Sequence, residues 1–334
     1  MNNAPLVYRP QLDALRTVAV GLVLLSHFWL DELKLGHVGV RLFFVLSGFL
    51  ITTILLRGIS LRDFYTGRVM RLAPALYIAL GLAFLLDLYG MRDTWKWHVL
   101  QLSNLLFAVR DSWELAWPAD HLWSLNVEEQ FYLVWPLLIL FVSRRWLPHA
   151  LIAVIAVGPA FRIFCHLRGG GEVAALALPF ASFDALGLGA FMAVTGVRMS
   201  MPGLVALPLL LLAPFDLFPD SFLYNELVEF GPLLTMAALV QLGWDGRLPL
   251  QSPLLVKTGR ISYGIYLYHN FVYGTVAELG LEQRGPVLMV TCSLITLGIA
   301  SLSYIFVERP IRSLRGKLSA SSTPTAGPLT EAAK

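Results

Sequence analysis

Long apolar runs separated by short charged or turn-forming stretches make up most of this chain. A helix crossing a hydrocarbon slab of about 30 Å needs about 17–22 predominantly apolar residues. Read on that scale, the sequence predicts ten helical spans near 10–30, 37–56, 70–89, 129–147, 149–166, 175–196, 203–219, 226–244, 258–279 and 286–306. The seventh is the weakest, because Pro208 and Pro214 interrupt it. A longer stretch over 90–128 is rich in Trp and charge, and loops of that length tend to carry function.

Composition turns this pattern into a membrane assignment. Of 334 residues, 57% are hydrophobic and only 14% charged, against about 25% charged in soluble domains. Mean hydropathy is +0.67. The expected fold class is an all-α polytopic integral membrane protein of about ten transmembrane helices. A membrane domain would cover residues 1–316, and a Ser/Thr/Pro/Ala-rich tail over 317–334 reads as disordered. No cleavable signal is expected, since the first apolar run is long and contains Asp13 and Arg16.

Basic residues set the orientation. With the N-terminus in the cytoplasm, Arg57, Arg62, Arg68, Arg71, Arg144, Arg145, Arg198, Arg247, Lys257 and Arg260 fall inside, as do Arg309, Arg312, Arg315 and Lys317. Lys34, Arg92, Lys96, Arg110, Arg168 and Arg284 fall outside. An even number of spans then places both termini in the cytoplasm.

The formal net charge of +3 gives no electrostatic support for a nucleic-acid partner. Cys165 and Cys292 both lie in apolar segments, so neither a disulfide framework nor a metal site is implied. There is no P-loop, no G-x-S-x-G elbow and no H-E-x-x-H pattern.

Candidate chemistry comes from ionisable groups inside apolar runs, which are costly to keep and therefore point to function. Arg16 and His27 share the first span. Eleven residues make three turns plus roughly 20°, so both side chains point the same way, about 16 Å apart along the axis. Arg16 snorkelling to the surface and His27 as a hydrogen-bonded packing residue would be the bland account. Arg68 and Arg71 lie three apart on one helix face and can clamp a polyanion, although the positive-inside rule alone also accounts for them. Together the three arginines suit an elongated donor whose phosphates stay in the cytoplasm while a thin arm enters the bundle, and coenzyme A fits. Ser47, in FFVLSGFLI, is placed to hydrogen-bond a thioester carbonyl or simply to pack beside Gly48.

Glu128 and Glu129, in HLWSLNVEEQ, are expected at the outer membrane edge, where they orient an imidazole or an acceptor, or merely favour a helix N-terminus. His121 carries less weight. Asp184 reads as one half of a structural salt bridge, and His269 as a satisfied packing histidine, although it could line the same cavity.

Seven segments in order, LDALRTVAVGLVLLSH, HVGVRLFFVLSGFLI, FYTGRVMRLAPALY, HLWSLNVEEQFYLVWP, FDALGLGA, ISYGIYLYH and FVERPIR, resemble the membrane-bound acyltransferase-3 family. The resemblance runs from about Tyr8 to Arg315. It implies a ten-helix enzyme of the bacterial inner membrane that takes acyl groups, most often acetyl, from cytoplasmic acyl-CoA. Its relatives place them on hydroxyls of surface glycans and related acceptors. The family's Arg-x10-His maps onto Arg16 and His27, its Arg-x-x-Arg onto Arg68 and Arg71, and its acidic motif onto Glu128 and Glu129.

The implied catalytic set is His27, Glu128 and Glu129, with Arg16, Arg68, Arg71 and Ser47 binding acetyl-CoA and no metal. Expected partners are acyl-CoA, a carbohydrate or glycolipid acceptor and membrane lipid, with homodimer formation left open. Some relatives carry an extra esterase-like domain after the membrane region. Here the chain is expected to end soon after Arg315 and to hand the acyl group on directly or to a separate protein. The rival from another class is a transporter or flippase for a lipid-linked glycan, since intramembrane Arg, Asp and His would serve there too.

Overall fold

A computed structural model describes residues 8–114, 117–169, 171–199, 202–215, 217–218, 221–280 and 284–314. The expected tail over 317–334 lies outside these. Fourteen α-helices account for most of the described residues. They are α1 (Pro10–Phe28), α2 (Leu35–Leu56), α3 (Leu61–Leu86), α4 (Met91–Val99), α5 (Ser103–Arg110), α6 (Leu122–Phe141) and α7 (Leu147–Leu167), followed by α8 (Ala174–Ala177), α9 (Phe183–Thr195), α10 (Leu207–Leu212), α11 (Phe222–Trp244), α12 (Pro253–Arg260), α13 (Ser262–Glu278) and α14 (Pro286–Ser303). A π-helical turn, Tyr304–Glu308, prolongs α14.

Among the described residues, five helices are long and apolar enough to cross a membrane: α2, α3, α7, α11 and the extended α14. The protein is thus an all-helical, polytopic membrane protein, and two of the expected spans form shorter helices than expected. α9 has 13 residues and α10 only 6, because Pro208 lies in the first turn of α10 and a 3₁₀ stretch, Pro202–Ala206, precedes it. α6 begins seven residues earlier than expected, and α3 nine residues earlier. Ser60 caps α3: its hydroxyl accepts from the Asp63 N–H at 3.0 Å and donates to the Asp63 carboxylate at 2.7 Å.

α2 is the axis of the bundle. In its most apolar stretch 72% of residues are buried, against 22% in α7 and α14, which face outward. Its neighbour α9 packs backbone to backbone. A side chain at Gly48 would collide with the Leu186 carbonyl, and one at Gly189 with the Val45 carbonyl. The small-residue reading of Gly48 as a packing position therefore holds, because close helix approach demands it.

The stretch over 90–121 is not an open loop. α4 and α5 fold over one end of the bundle and are tied to α6 by amides. Asn104 and Gln130 exchange two hydrogen bonds at 3.0 Å, and Asn126 donates to Gln101 at 3.0 Å while accepting from Ser103 at 2.5 Å. The segment after α5 brings Trp113, Asp120 and His121 to the end of α1.

Candidate active site

Two cavities lie along α1. The first, of about 340 Å³, is lined by Arg16 from α1, Ser47 from α2, Arg68 and Arg71 from α3, and Glu128 and Tyr132 from α6. The second, of about 130 Å³, lies toward the far end of α1 and holds His27, His37, Asp120 and His121. Val40 and Tyr266 line both. Tyr266 is fixed in this shared wall, its hydroxyl paired with the Ser124 hydroxyl at 2.5 Å and donating to the His121 carbonyl at 3.1 Å.

The first cavity gathers the three arginines expected to act together. Arg16 is held by Asp13 at 2.6 Å, whose other oxygen accepts from the Tyr8 hydroxyl at 2.7 Å. Among the described residues no carboxylate lies within 4.0 Å of Arg68 or Arg71. Arg68 instead stacks over the Tyr132 ring at 4.9 Å and the Phe64 ring at 5.7 Å. A guanidinium held over an aromatic face keeps its N–H groups free for an anion.

Glu128 departs from its expected place. It sits almost two turns inside α6, so its carboxylate belongs to the arginine cavity and not to the outer edge. It accepts from the Ser47 hydroxyl at 2.5 Å and from the Tyr132 hydroxyl at 3.2 Å. The Ser47 proton is engaged there, so Ser47 presents lone pairs to the cavity. Glu129 lies within electrostatic reach of Arg68 and does not meet His27.

Beside the second cavity His269 is the buried, satisfied histidine expected, and one of its partners is His27. Its Nε2 meets His27 Nδ1 at 2.9 Å, and its Nδ1 meets the Tyr266 carbonyl at 2.5 Å. The partners fix the tautomers. A carbonyl oxygen can only accept, so His269 carries its proton on Nδ1. Its Nε2 then accepts from His27 Nδ1–H, which leaves His27 Nε2 with a lone pair and no partner among the described residues. His27 Nε2 also faces Gly36, where a side chain would approach to 3.8 Å.

His27 is the penultimate residue of α1, so it stands at the helix end and not at its middle. His121 also joins the group. Its ring contacts His269 edge-on at 4.9 Å, and both its nitrogens face carbonyls, Pro118 and Leu267, at 3.0 Å. Nothing in the local sequence links His27 to His269, which lie 242 positions apart. The one signal was that both sit in apolar helices.

Asp184 does what was expected of it. It is fully buried between Arg41 at 2.8 Å and Arg162 at 2.9 Å. Arg162 also pairs with Glu226 at 2.9 Å, and Glu229 pairs with His37 at 2.7 Å. This network borders a cavity of about 710 Å³ that shares His37 with the histidine cavity. Among the described residues no cluster of three or more His, Cys, Asp or Glu side chains is arranged to hold a metal.

No solved structure matches. O-acetyltransferase OatA of Staphylococcus aureus (strain NCTC 8325 / PS 47) is 27% identical over 350 aligned positions, covering 91% of this chain and 57% of that protein. OatA of strain MRSA252 gives the same figures. The chain therefore spans about 57% of the length of these relatives. A family model described as an acyltransferase domain matches residues 9–305, nearly the whole described region, and the chain belongs to the acyltransferase-3 family.

Proposed function

We propose that this protein is a transmembrane O-acyltransferase moving an acyl group, acetyl above all, from cytoplasmic acyl-CoA to a hydroxyl of an extracytoplasmic glycan or glycolipid. It would do so in a bacterial inner membrane, crossing it ten times with both termini in the cytoplasm. The observation that carries this reading is the end-to-end placement of an arginine cavity and a histidine cavity that share Val40 and Tyr266.

Arg16, Arg68 and Arg71 hold the 3′-phosphate and pyrophosphate of coenzyme A, as guanidiniums do for phosphates. The arginine cavity, at about 340 Å³, is within the range of small-molecule sites. Glu128 and Glu129 act on this donor end: Glu128 fixes Ser47 and Tyr132, and both carboxylates bias the orientation of Arg68. The thioester arm extends past Tyr266 toward His27.

His27 Nε2 takes the proton of the acceptor hydroxyl while the hydroxyl oxygen attacks the acyl carbon. The C–S bond breaks, the ester C–O bond forms, and the proton passes to the departing thiolate. Carriage of the acyl group on Nε2 is the two-step variant of the same chemistry. In either route His269 positions His27 by accepting from its Nδ1–H.

The test compares surface glycans, by mass spectrometry, from a deletion strain complemented with the wild-type gene or with His27→Ala. Acetyl increments restored only by the wild type support the reading. Equal acetylation with glycan failing to reach the surface would favour the transporter reading.

A further inference from the structure

The histidine cavity has its own way out. A fourth, more open cavity of about 450 Å³ is lined by Trp113, Glu114, Trp117 and Asp120. Trp113 and Asp120 line this vestibule and the histidine cavity alike.

Its walls are fixed. Trp113 packs between Phe107 at 5.7 Å and Trp123 at 6.0 Å, and Trp117 meets Tyr273 edge-on at 5.8 Å. Asp120 accepts through one oxygen only: Oδ1 takes the Asn270 side-chain N–H at 2.6 Å and the His121 backbone N–H at 2.9 Å. Oδ2 has no partner among the described residues. Asn270 follows His269 in α13, so this carboxylate is anchored on the element that orients His27.

We propose that the vestibule is the acceptor site and that it takes a pyranose ring of a glycan, with one ring hydroxyl donating to Asp120 Oδ2 so that a neighbouring hydroxyl of the ring is directed at His27. The inference rests on the acyl-transfer reading and names the part of the molecule that chooses its acceptor. Size separates the two compartments. At about 30 Å³ per water, the 130 Å³ histidine cavity holds about four water volumes, enough for an acetyl group and a hydroxyl but not for a sugar ring. The vestibule has the room.

Indole faces offer flat apolar area to the C–H face of a sugar, and convergent polar groups fix its orientation. Burial pushes the Asp120 carboxyl up to about 6, so near neutral pH it is the carboxylate and accepts from a hydroxyl. The larger charged cavity beside Arg162 is lined by no indole, and its His37, Arg41, Arg162, Glu226 and Glu229 engage one another and Asp184, which leaves it poorly suited to a sugar ring.

The test uses membranes containing the full chain, radiolabelled acetyl-CoA, and de-O-acetylated surface polysaccharide from the deletion strain as the acceptor. CoA release and acetyl incorporation are measured together. Asp120→Asn keeps an oxygen for Asn270 and the His121 N–H and replaces only the atom facing the vestibule. Acetyl incorporation should fall at least tenfold in Asp120→Asn and in Trp117→Ala with thermal stabilisation of the protein by acetyl-CoA unchanged, and Trp117→Phe should keep most of the incorporation.

Unchanged incorporation overturns the proposal, and so does a matching loss of stabilisation by acetyl-CoA, which would mean damage to the donor site or to the fold. Wild-type protein that releases CoA but labels no polysaccharide overturns the sugar acceptor and leaves acyl transfer standing. Wild-type protein that releases no CoA removes the parent reading, and this proposal with it.

Discussion

Two groups of buried charge sit in the same bundle and are built on opposite rules. Around Asp184, each charged side chain faces another: Arg41 and Arg162 share its carboxylate, Glu226 completes Arg162, and His37 completes Glu229. Along α1 and α3 the charges are left facing space. Arg68 rests on an aromatic ring in place of a carboxylate, and His27 keeps one nitrogen open. A closed network can only hold helices together. An open one has unspent interaction energy for a ligand, which is where pre-organised polar groups contribute most to binding and catalysis. Burial alone does not mark a site; the informative property is what the buried group still lacks.

The largest expected effect tests the closed network. Asp184→Ala leaves two buried arginines without their shared carboxylate, and breaking such a pair costs about 3–5 kcal/mol. Thermal unfolding in detergent should show it, as a large drop in midpoint or a loss of monodisperse protein. A normal midpoint would remove the structural half of the comparison.

Next comes His27→Ala, which should cut acetyl transfer by about 10²–10⁴ while leaving the unfolding midpoint close to wild type. A variant that loses stability in step with activity would place His27 with the closed network instead. His269→Ala should lower transfer by less, since it removes the group that orients His27 and leaves the base in place.

Arg68→Ala should weaken acetyl-CoA binding about 10- to 100-fold, as charge-assisted hydrogen bonds contribute about 1.5–3 kcal/mol. Titration of thermal stabilisation by acetyl-CoA reads this directly, and Arg68→Lys should recover only part, because an ammonium lacks the planar fork. The smallest change is expected from Ser47→Ala. It removes one hydrogen bond of about 0.5–1.5 kcal/mol, so a few-fold loss in transfer rate is expected in steady-state assays.

Much of this was legible in the chain. Three turns between Arg16 and His27, and one between Arg68 and Arg71, put each pair on one face, and the structure lines adjoining cavities with them. The boundaries failed where polar residues face other helices instead of water. Ser124, Asn126, Glu128 and Gln130 depress the hydropathy of the first two turns of α6, so its start was placed late and Glu128 was displaced to the membrane edge. Those same polar side chains are the ones bonded across to Tyr266, Ser103, Ser47 and Asn104. Contacts between helices distant in sequence were out of reach. The pairing of His269 with His27, and Tyr266 as the partition between two cavities, arise from the packing of α13 on α1, and no local pattern encodes it.

That partition bears on the energetics of the membrane itself. On the proposed reading the cavities form a row from one face of the bilayer to the other, a path that invites leakage of protons and ions, and each charge crossing 100 mV exchanges about 2.3 kcal/mol with the potential. Tyr266, tied on one side to Ser124 and on the other to the His121 carbonyl, closes the row at its midpoint with a neutral ring. On the proposed reading, the phosphates stop at the arginines and only an uncharged acyl group passes. The cargo then does no electrical work, and the cell can modify its exterior without discharging its membrane.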